Sequence, residues 1–230
     1  MARRDTATPE LTGTPLRTGA LDKRRDSGHS GRVSVQDVLI RNAVQVDAIA
    51  MGRLHVRAWQ SAYRGVMPDE YLDGLREQDR VEMWQGRLSQ SDLPPILVAV
   101  VADEVIGFGA FGAEASPEAP TSCGELYAMN LDPDHWGRGI GRLLLRGVTE
   151  MLIAMAYEEA VLWVVPENER ARALYESEGW VVDGGVSTEE ILGVTVTDIR
   201  YRKPLVGLPP HGKLPICALV EYANRAERVP

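Results

Sequence analysis

Apolar positions follow two rhythms along this chain. Short runs of strand length alternate with stretches that repeat every three to four residues. Val38-Leu39-Ile40-Arg41 reads as a first strand. From Val46 to Tyr63, Val46, Ile49, Ala50, Leu54 and Ala58 recur at helical spacing, until Gly65 and Pro68 break the pattern. Asp69 to Leu75 reads as a short helical segment and Gln78 to Leu88 as a further helix. Ile96–Val101 and Val105–Phe111 predict two strands joined by a hairpin at Asp103-Glu104, followed by a Pro- and Ser-rich loop over Glu114–Ser122. Glu125–Leu131 is the next strand, ended by Pro133. Gly139–Met155 carries Ile140, Leu144, Leu145, Val148, Met151, Leu152 and Met155 on one face of a helix. Ala160–Val165 is a buried-type strand. Asn168–Glu178 is a helix capped by Asn168 and closed by Gly179. Trp180–Val182 and Val194–Tyr201 are the last strands. The order βαα-βββ-αβ-αββ is an α+β pattern, with helices covering a mixed sheet.

The ends differ from this centre. Residues 1–36 are rich in Arg, Thr, Ser, Gly and Pro, and too poor in apolar side chains to offset the entropy of ordering, so a disordered tail is expected. After Pro204 the chain becomes Pro-rich, and 206–230 reads as an extension in which Ile216–Arg225 could form one short helix. The 230 residues therefore predict one domain, 37–205, between two tails.

With 44% hydrophobic and 25% charged residues the chain can bury a sizeable core. No run approaches the ~18 apolar residues of a membrane span, and the N-terminus lacks the apolar core of a signal peptide. Residues 1–36 hold seven Lys or Arg against four Asp or Glu, so the rest of the chain carries −11 of the net −8. That balance argues against nucleic acid and suits either a cationic substrate or simple solubility. Cys123 and Cys217 form no metal-type pair, and no Cys/His cluster supplies a metal site. Two isolated cysteines suit a reducing, cytoplasmic setting.

The chemistry concentrates in Asp132-Pro133-Asp134-His135-Trp136-Gly137-Arg138-Gly139-Ile140-Gly141-Arg142, between a strand and a helix. Three glycines in five positions allow close backbone approach, and the first amides of the helix lack intrahelical acceptors. Together with the helix dipole they form a ready phosphate or pyrophosphate site. There is no Gly-Lys-Ser/Thr, and the spacing Gly137-x-Gly139-x-Gly141 is not the dinucleotide fingerprint.

These residues resemble the acyl-CoA pyrophosphate loop, Gln/Arg-x-x-Gly-x-Gly/Ala, of the GNAT superfamily of N-acetyltransferases. Asn168-x-x-Ala171-x-x-Leu174-Tyr175-x-x-x-Gly179-Trp180 resembles that superfamily's second block. The resemblance covers roughly 38–205. One residue departs from the pattern: Trp136 stands where Gln or Arg is usual. The resemblance implies the GNAT fold, a mixed and mostly antiparallel sheet with helices on both faces. Its two neighbouring parallel strands, here Leu126–Leu131 and Ala160–Val165, would splay apart around the pantetheine arm.

It also implies acetyl-CoA as co-substrate, with no metal, and a primary amine as acceptor. Gly137, Arg138, Gly139, Ile140, Gly141 and Arg142 would hold the pyrophosphate. The backbone of Met129, Asn130 and Leu131 would pair with the pantetheine, and Asn168 would anchor it. Tyr175 is the general acid implied, its phenol protonated at neutral pH. Glu125 is the candidate base, because some members carry a base carboxylate at that strand position. Other members use a glutamate on the strand equivalent to Ala160–Val165, where this chain has Trp163 and Val164. His55 is a weaker alternative. Trp59, Tyr63, Arg64, Tyr71 and Trp84 fall where the acceptor wall is expected, and aromatics there could cradle a cation. Each of these residues also has a plain structural reading: Asn168 as a helix cap, Tyr175 and the aromatics as core, Glu125 as a strand-end charge.

A catalytically weak acyl-CoA-binding module, and a transferase using another short acyl-CoA, stay open as rival readings. The sequence leaves the acceptor and the oligomeric state open, although homodimers are frequent in such families.

Overall fold

The structure, a computed structural model, describes residues 35–205. The expectations for residues 1–34 and 206–230, including the Ile216–Arg225 helix and Cys217, lie outside the described residues. In chain order the elements are β1 (Leu39–Asn42), α1 (Ala48–Ala62), α2 (Asp69–Asp73), α3 (Glu77–Leu88), β2 (Ile96–Val101), β3 (Glu104–Ala113), β4 (Cys123–Leu131), α4 (Ile140–Ala154), β5 (Glu159–Val164), α5 (Glu169–Ser177), β6 (Val181–Ile191) and β7 (Val194–Pro204). Val35 and Gln36, expected in the tail, open a 3₁₀ turn, Val35–Asp37.

Seven strands form one sheet in the order β1-β2-β3-β4-β5-β7-β6. All neighbours are antiparallel except β4 and β5, which run parallel. This is the mixed α+β sheet that the sequence pattern predicts. β2 is apolar throughout because both its faces are covered. Leu97 and Ala99 join Leu144, Leu145, Val148 and Leu152 of α4 and Tyr175 of α5. Ile96, Val98 and Val100 join Met51, Leu54 and Ala58 of α1 and Trp84 of α3. Each large side chain buried this way contributes roughly 1.5–3 kcal/mol.

Two expectations need correction. The buried face of α1 is Ala48, Met51, Leu54, His55 and Ala58. Val46 and Ile49, counted in the apolar repeat, are exposed at 77% and 47%. Val46 lies in the 3₁₀ turn Gln45–Asp47 that precedes α1, so it falls outside the helical register. The strand expected over 180–182 runs instead from Val181 to Ile191. Almost none of β6 is buried, so its sequence carries no apolar alternation. Its ladder with β7 holds it, and Asp183-Gly184-Gly185 bulge out of that ladder opposite Arg200.

His55 lies in the α1 core, 6% exposed, with ring centroids of Trp59, Trp84 and Phe108 at 5.1, 6.0 and 6.3 Å. Neither ring nitrogen has a hydrogen-bond partner. Burial, with Arg80 nearby, lowers its pKa from 6.5 to about 4. The unfolded chain therefore takes up this proton first, and stability present above pH 6.5 is lost as pH falls toward 4. Urea unfolding should show about 2 kcal/mol less stability at pH 5 than at pH 7.5 from this group. His55→Leu should remove that part of the pH slope, and an unchanged slope in the variant would refute the assignment.

Candidate active site

The parallel pair of β4 and β5 is short. Cys123–Leu126 register against Glu159–Leu162, and the pairing then stops. β4 stays with β3 as far as Leu131, and β5 stays with β7 as far as Val164. A bulge at Tyr127, between the pairs Phe111–Leu126 and Ala110–Ala128, bends β4 where the two strands part. The edge of β4 that faces β5 therefore has no strand partner beyond Leu126. A cleft of about 810 Å³ opens in this gap, lined by Tyr127 to Leu131 on one side and Trp163 and Val164 on the other.

The glycine-rich turn closes one end. Gly137 and Gly139 have φ of 74° and 81°, left-handed values that glycine adopts without strain. Gly139 is the N-cap of α4, and the first helical bond runs from Leu143 N–H to its carbonyl. Among the described residues, no acceptor receives the amides of residues 137 to 142. Six such donors at a helix N-terminus suit a pyrophosphate. Asp132 caps the turn by accepting from Asp134 N–H at 2.9 Å, and Arg57 of α1 holds both carboxylates.

α5 brings two expected residues to the cleft wall. Asn168 Oδ1 accepts from Ala171 N–H at 3.2 Å, so it is the helix cap that its sequence position predicts. Its side chain also lies near the Tyr63 hydroxyl, and both residues line the cleft. Tyr175, 7% exposed, packs against Trp180 and Tyr201. Burial, with the Tyr63 phenol nearby, pushes its pKa well above the usual tyrosine value. Tyr63, Asn168 and Tyr175 thus gather at one place in the gap, although α1 and α5 are far apart in sequence.

Glu125 does not join that group. It lies before the strands part, outside the cleft lining, and accepts from Ala115 N–H at 3.0 Å. Burial raises its pKa and the nearby Glu114 adds to the rise, while the Ala115 bond and Arg200 oppose it. His55 is buried away from the cleft. Of the expected acceptor wall, Trp59 and Tyr63 line the cleft. Trp84 packs edge-on to Phe108 at 4.8 Å, Tyr71 packs with the Met67 and Leu72 cluster, and Arg64 pairs with Asp69 and Asp73.

Two residues carry no site role in the sequence reading, which names Trp163 only for standing where a glutamate is used elsewhere. Trp163 lines the cleft with the Arg200 guanidinium 5.4 Å above its ring. Asp198 of β7 is half-buried beside Tyr63, its pKa raised by burial and by Glu189. Asp198 shares one face of β7 with Val196, which packs in the cluster that holds Tyr63. No local motif marks either residue. Among the described residues no group of three or more His, Cys, Asp or Glu side chains could hold a metal. No helix there is long and apolar enough to cross a membrane.

The model of the acetyltransferase (GNAT) family matches residues 56–180, more than half of the chain. The chain belongs to the GNAT acetyltransferase family. An uncharacterized N-acetyltransferase of Bacillus subtilis, YuaI, is 30% identical over 134 residues, 57% of this chain and 73% of that protein. The mycothiol acetyltransferase of Beutenbergia cavernae is 39% identical over 106 residues, 42% of this chain. The chain spans only 35% of that enzyme's length. The PaiA N-acetyltransferase of Thermoplasma acidophilum, solved in complex with coenzyme A, superposes with a TM-score of 0.58 at 22% identity. That likeness covers 73% of this chain and 98% of the other, and it shows the GNAT fold.

A Cβ at Gly137 would meet nothing within 4 Å, so alanine there tests the backbone alone. Gly137→Ala should cost about 1 kcal/mol of stability through its left-handed φ. It should also weaken coenzyme A binding by about tenfold as the amides turn away. Calorimetric titration with coenzyme A, beside a thermal melt, checks both.

Proposed function

We propose that the protein is an N-acetyltransferase that moves the acetyl group of acetyl-CoA to a primary amine by direct attack. The acceptor on this reading is a small molecule or a peptide. One observation carries it: a gap edged by unpaired strand backbone and ended by six amides that have no acceptor among the described residues. An extended polyamide arm joined to a pyrophosphate fits both halves of that gap. Acetyl-CoA supplies the activated acyl group as a thioester.

On this reading the backbone of Met129 and Leu131 hydrogen-bonds the pantetheine as a further strand would, and one of these amides polarises the thioester carbonyl, while Asn130 between them turns its backbone toward β3. The Leu131 carbonyl already accepts from Trp136 Nε1 at 2.9 Å, so its amide and second lone pair are what remain. Asn168 reaches the arm with its side-chain amide. As the amine nitrogen bonds to the acyl carbon and the C–S bond breaks, the departing sulfur takes the Tyr175 hydroxyl proton. The raised pKa of Tyr175 keeps that proton in place at neutral pH. The proton lost by the amine goes to Glu125, through water, because Glu125 stands back from the cleft.

The half-buried Asp198 carboxyl, beside the cleft-lining Tyr63, favours an amine acceptor. Cys123 offers no covalent alternative, since burial and the neighbouring Glu114 push its thiol up to about 12.

Thiol release from acetyl-CoA across a panel of primary amines tests the proposal. Amine-dependent release should fall by about 100-fold or more in Tyr175→Phe, with coenzyme A affinity unchanged. No release with any amine, alongside intact coenzyme A binding, would favour an acyl-CoA-binding module instead. The raised Glu125 pKa also sets a pH limb. Glu125 accepts a proton only when ionised, so kcat/KM should fall with acid through a point above the ordinary glutamate value. Glu125→Gln should erase that limb.

A further inference from the structure

Trp136 departs from the loop pattern, and the structure shows what stands in its place. The indole Nε1 donates to the Leu131 carbonyl at 2.9 Å, which fixes the ring where β4 meets the turn. Over that ring, 3.8 Å from its centroid, lies the guanidinium of Arg170, the second residue of α5. Both residues line the cleft. Trp136 follows β4 and Arg170 follows β5, so the stacked pair spans the gap between the two strands.

Arg138, in the turn itself, is exposed and lies outside the cleft lining, while the remaining arginines near the turn are engaged. Arg142 and Arg146 both hold Glu178, at 2.9 and 2.8 Å. Arg57 holds Asp132 and Asp134. Arg172 donates to the Tyr201 hydroxyl and the Pro166 carbonyl. Glu167 and Glu169 line the same rim, yet neither forms an ion pair with Arg170. A guanidinium stacked on a ring uses its face and keeps the N–H donors at its edge. Those donors, in a planar fork, suit the paired oxygens of a phosphate.

We propose that Arg170, held over Trp136, binds a phosphate group of the acyl-CoA and supplies from α5 the polar contact that position 136 cannot make. The proposal rests on the acyl-CoA reading above. Coenzyme A offers two sources of this chemistry, the pyrophosphate and the 3′-phosphate. Trp136 positions the cation and Arg170 contacts the ligand.

Calorimetric titration of the full chain with coenzyme A and with 3′-dephospho-coenzyme A tests this. The proteins compared are the wild type, Arg170→Gln, Arg170→Lys, Trp136→Leu and the Arg170→Gln/Trp136→Leu double variant. Arg170→Gln should weaken coenzyme A binding by about tenfold, as expected for losing a charge-assisted contact. Arg170→Lys should fall between it and the wild type, because charge remains while the stacked fork is lost. Trp136→Leu should weaken binding alone but add little to Arg170→Gln, since the two act as one unit. A loss with both ligands identifies the pyrophosphate, and a loss with coenzyme A alone identifies the 3′-phosphate.

Wild-type affinity in Arg170→Gln for both ligands would overturn the proposal, and so would additive losses in the double variant. A wild-type protein that binds neither ligand would overturn the acyl-CoA reading itself, a separate and distinguishable failure. Both residues lie at the rim of the cleft, outside the core clusters, and matched thermal melts exclude loss of fold.

Discussion

Hydrogen bonds that β4 and β5 do not make beyond Leu126 and Leu162 govern the rest of this molecule. Two parallel strands that start in register would ordinarily continue. Here β4 follows β3 and β5 follows β7, so each half of the sheet stays whole while the seam opens. The extra residue at Tyr127 turns β4 aside, and the Tyr127 hydroxyl donates to the Ala113 carbonyl of β3. The open edge leaves backbone donors and acceptors that need a partner. A ligand with alternating amides is the complement such an edge lacks.

The layers around the seam hold this opening in position. On one face α4 buries Ile140, Leu144, Leu145 and Val148 completely, which fixes where its N-terminus and the turn before it point. The Glu178 side chain, only 7% exposed, holds Arg142 and Arg146 of α4, while its carbonyl accepts from Lys203 of β7. The end of α5 is thereby tied to both the loop helix and the sheet. On the other face α1 delivers Trp59 and Tyr63 to the cleft, and its Arg57 grips the turn through Asp132 and Asp134.

Legibility in the sequence followed the range of the interactions. The turn with its glycines and the Asn168 cap are local, decided within three or four residues, and both stand where the pattern predicts. The α4 stripe is equally plain, because one face of that helix is wholly buried. β6 was largely invisible, since an exposed edge strand needs no apolar alternation. Val46 misled because one apolar residue at helical spacing says nothing about where the helix begins. Asp198 and Trp163 sit in no motif and matter only through what lies opposite them.

By itself the sequence determined the element order, the glycine turn that opens α4, and the identity of the residues on α5 that face the seam. Those follow from backbone stereochemistry and from periodic burial, both written in near neighbours. Only the tertiary structure decided that Glu125 stands back from the cleft while Tyr63 joins Asn168 and Tyr175. It alone set the Arg170 cation over the Trp136 ring. The physical reason is shared: side chains meet across a sheet by register and layer packing, and neither is encoded in the spacing of residues along one chain segment.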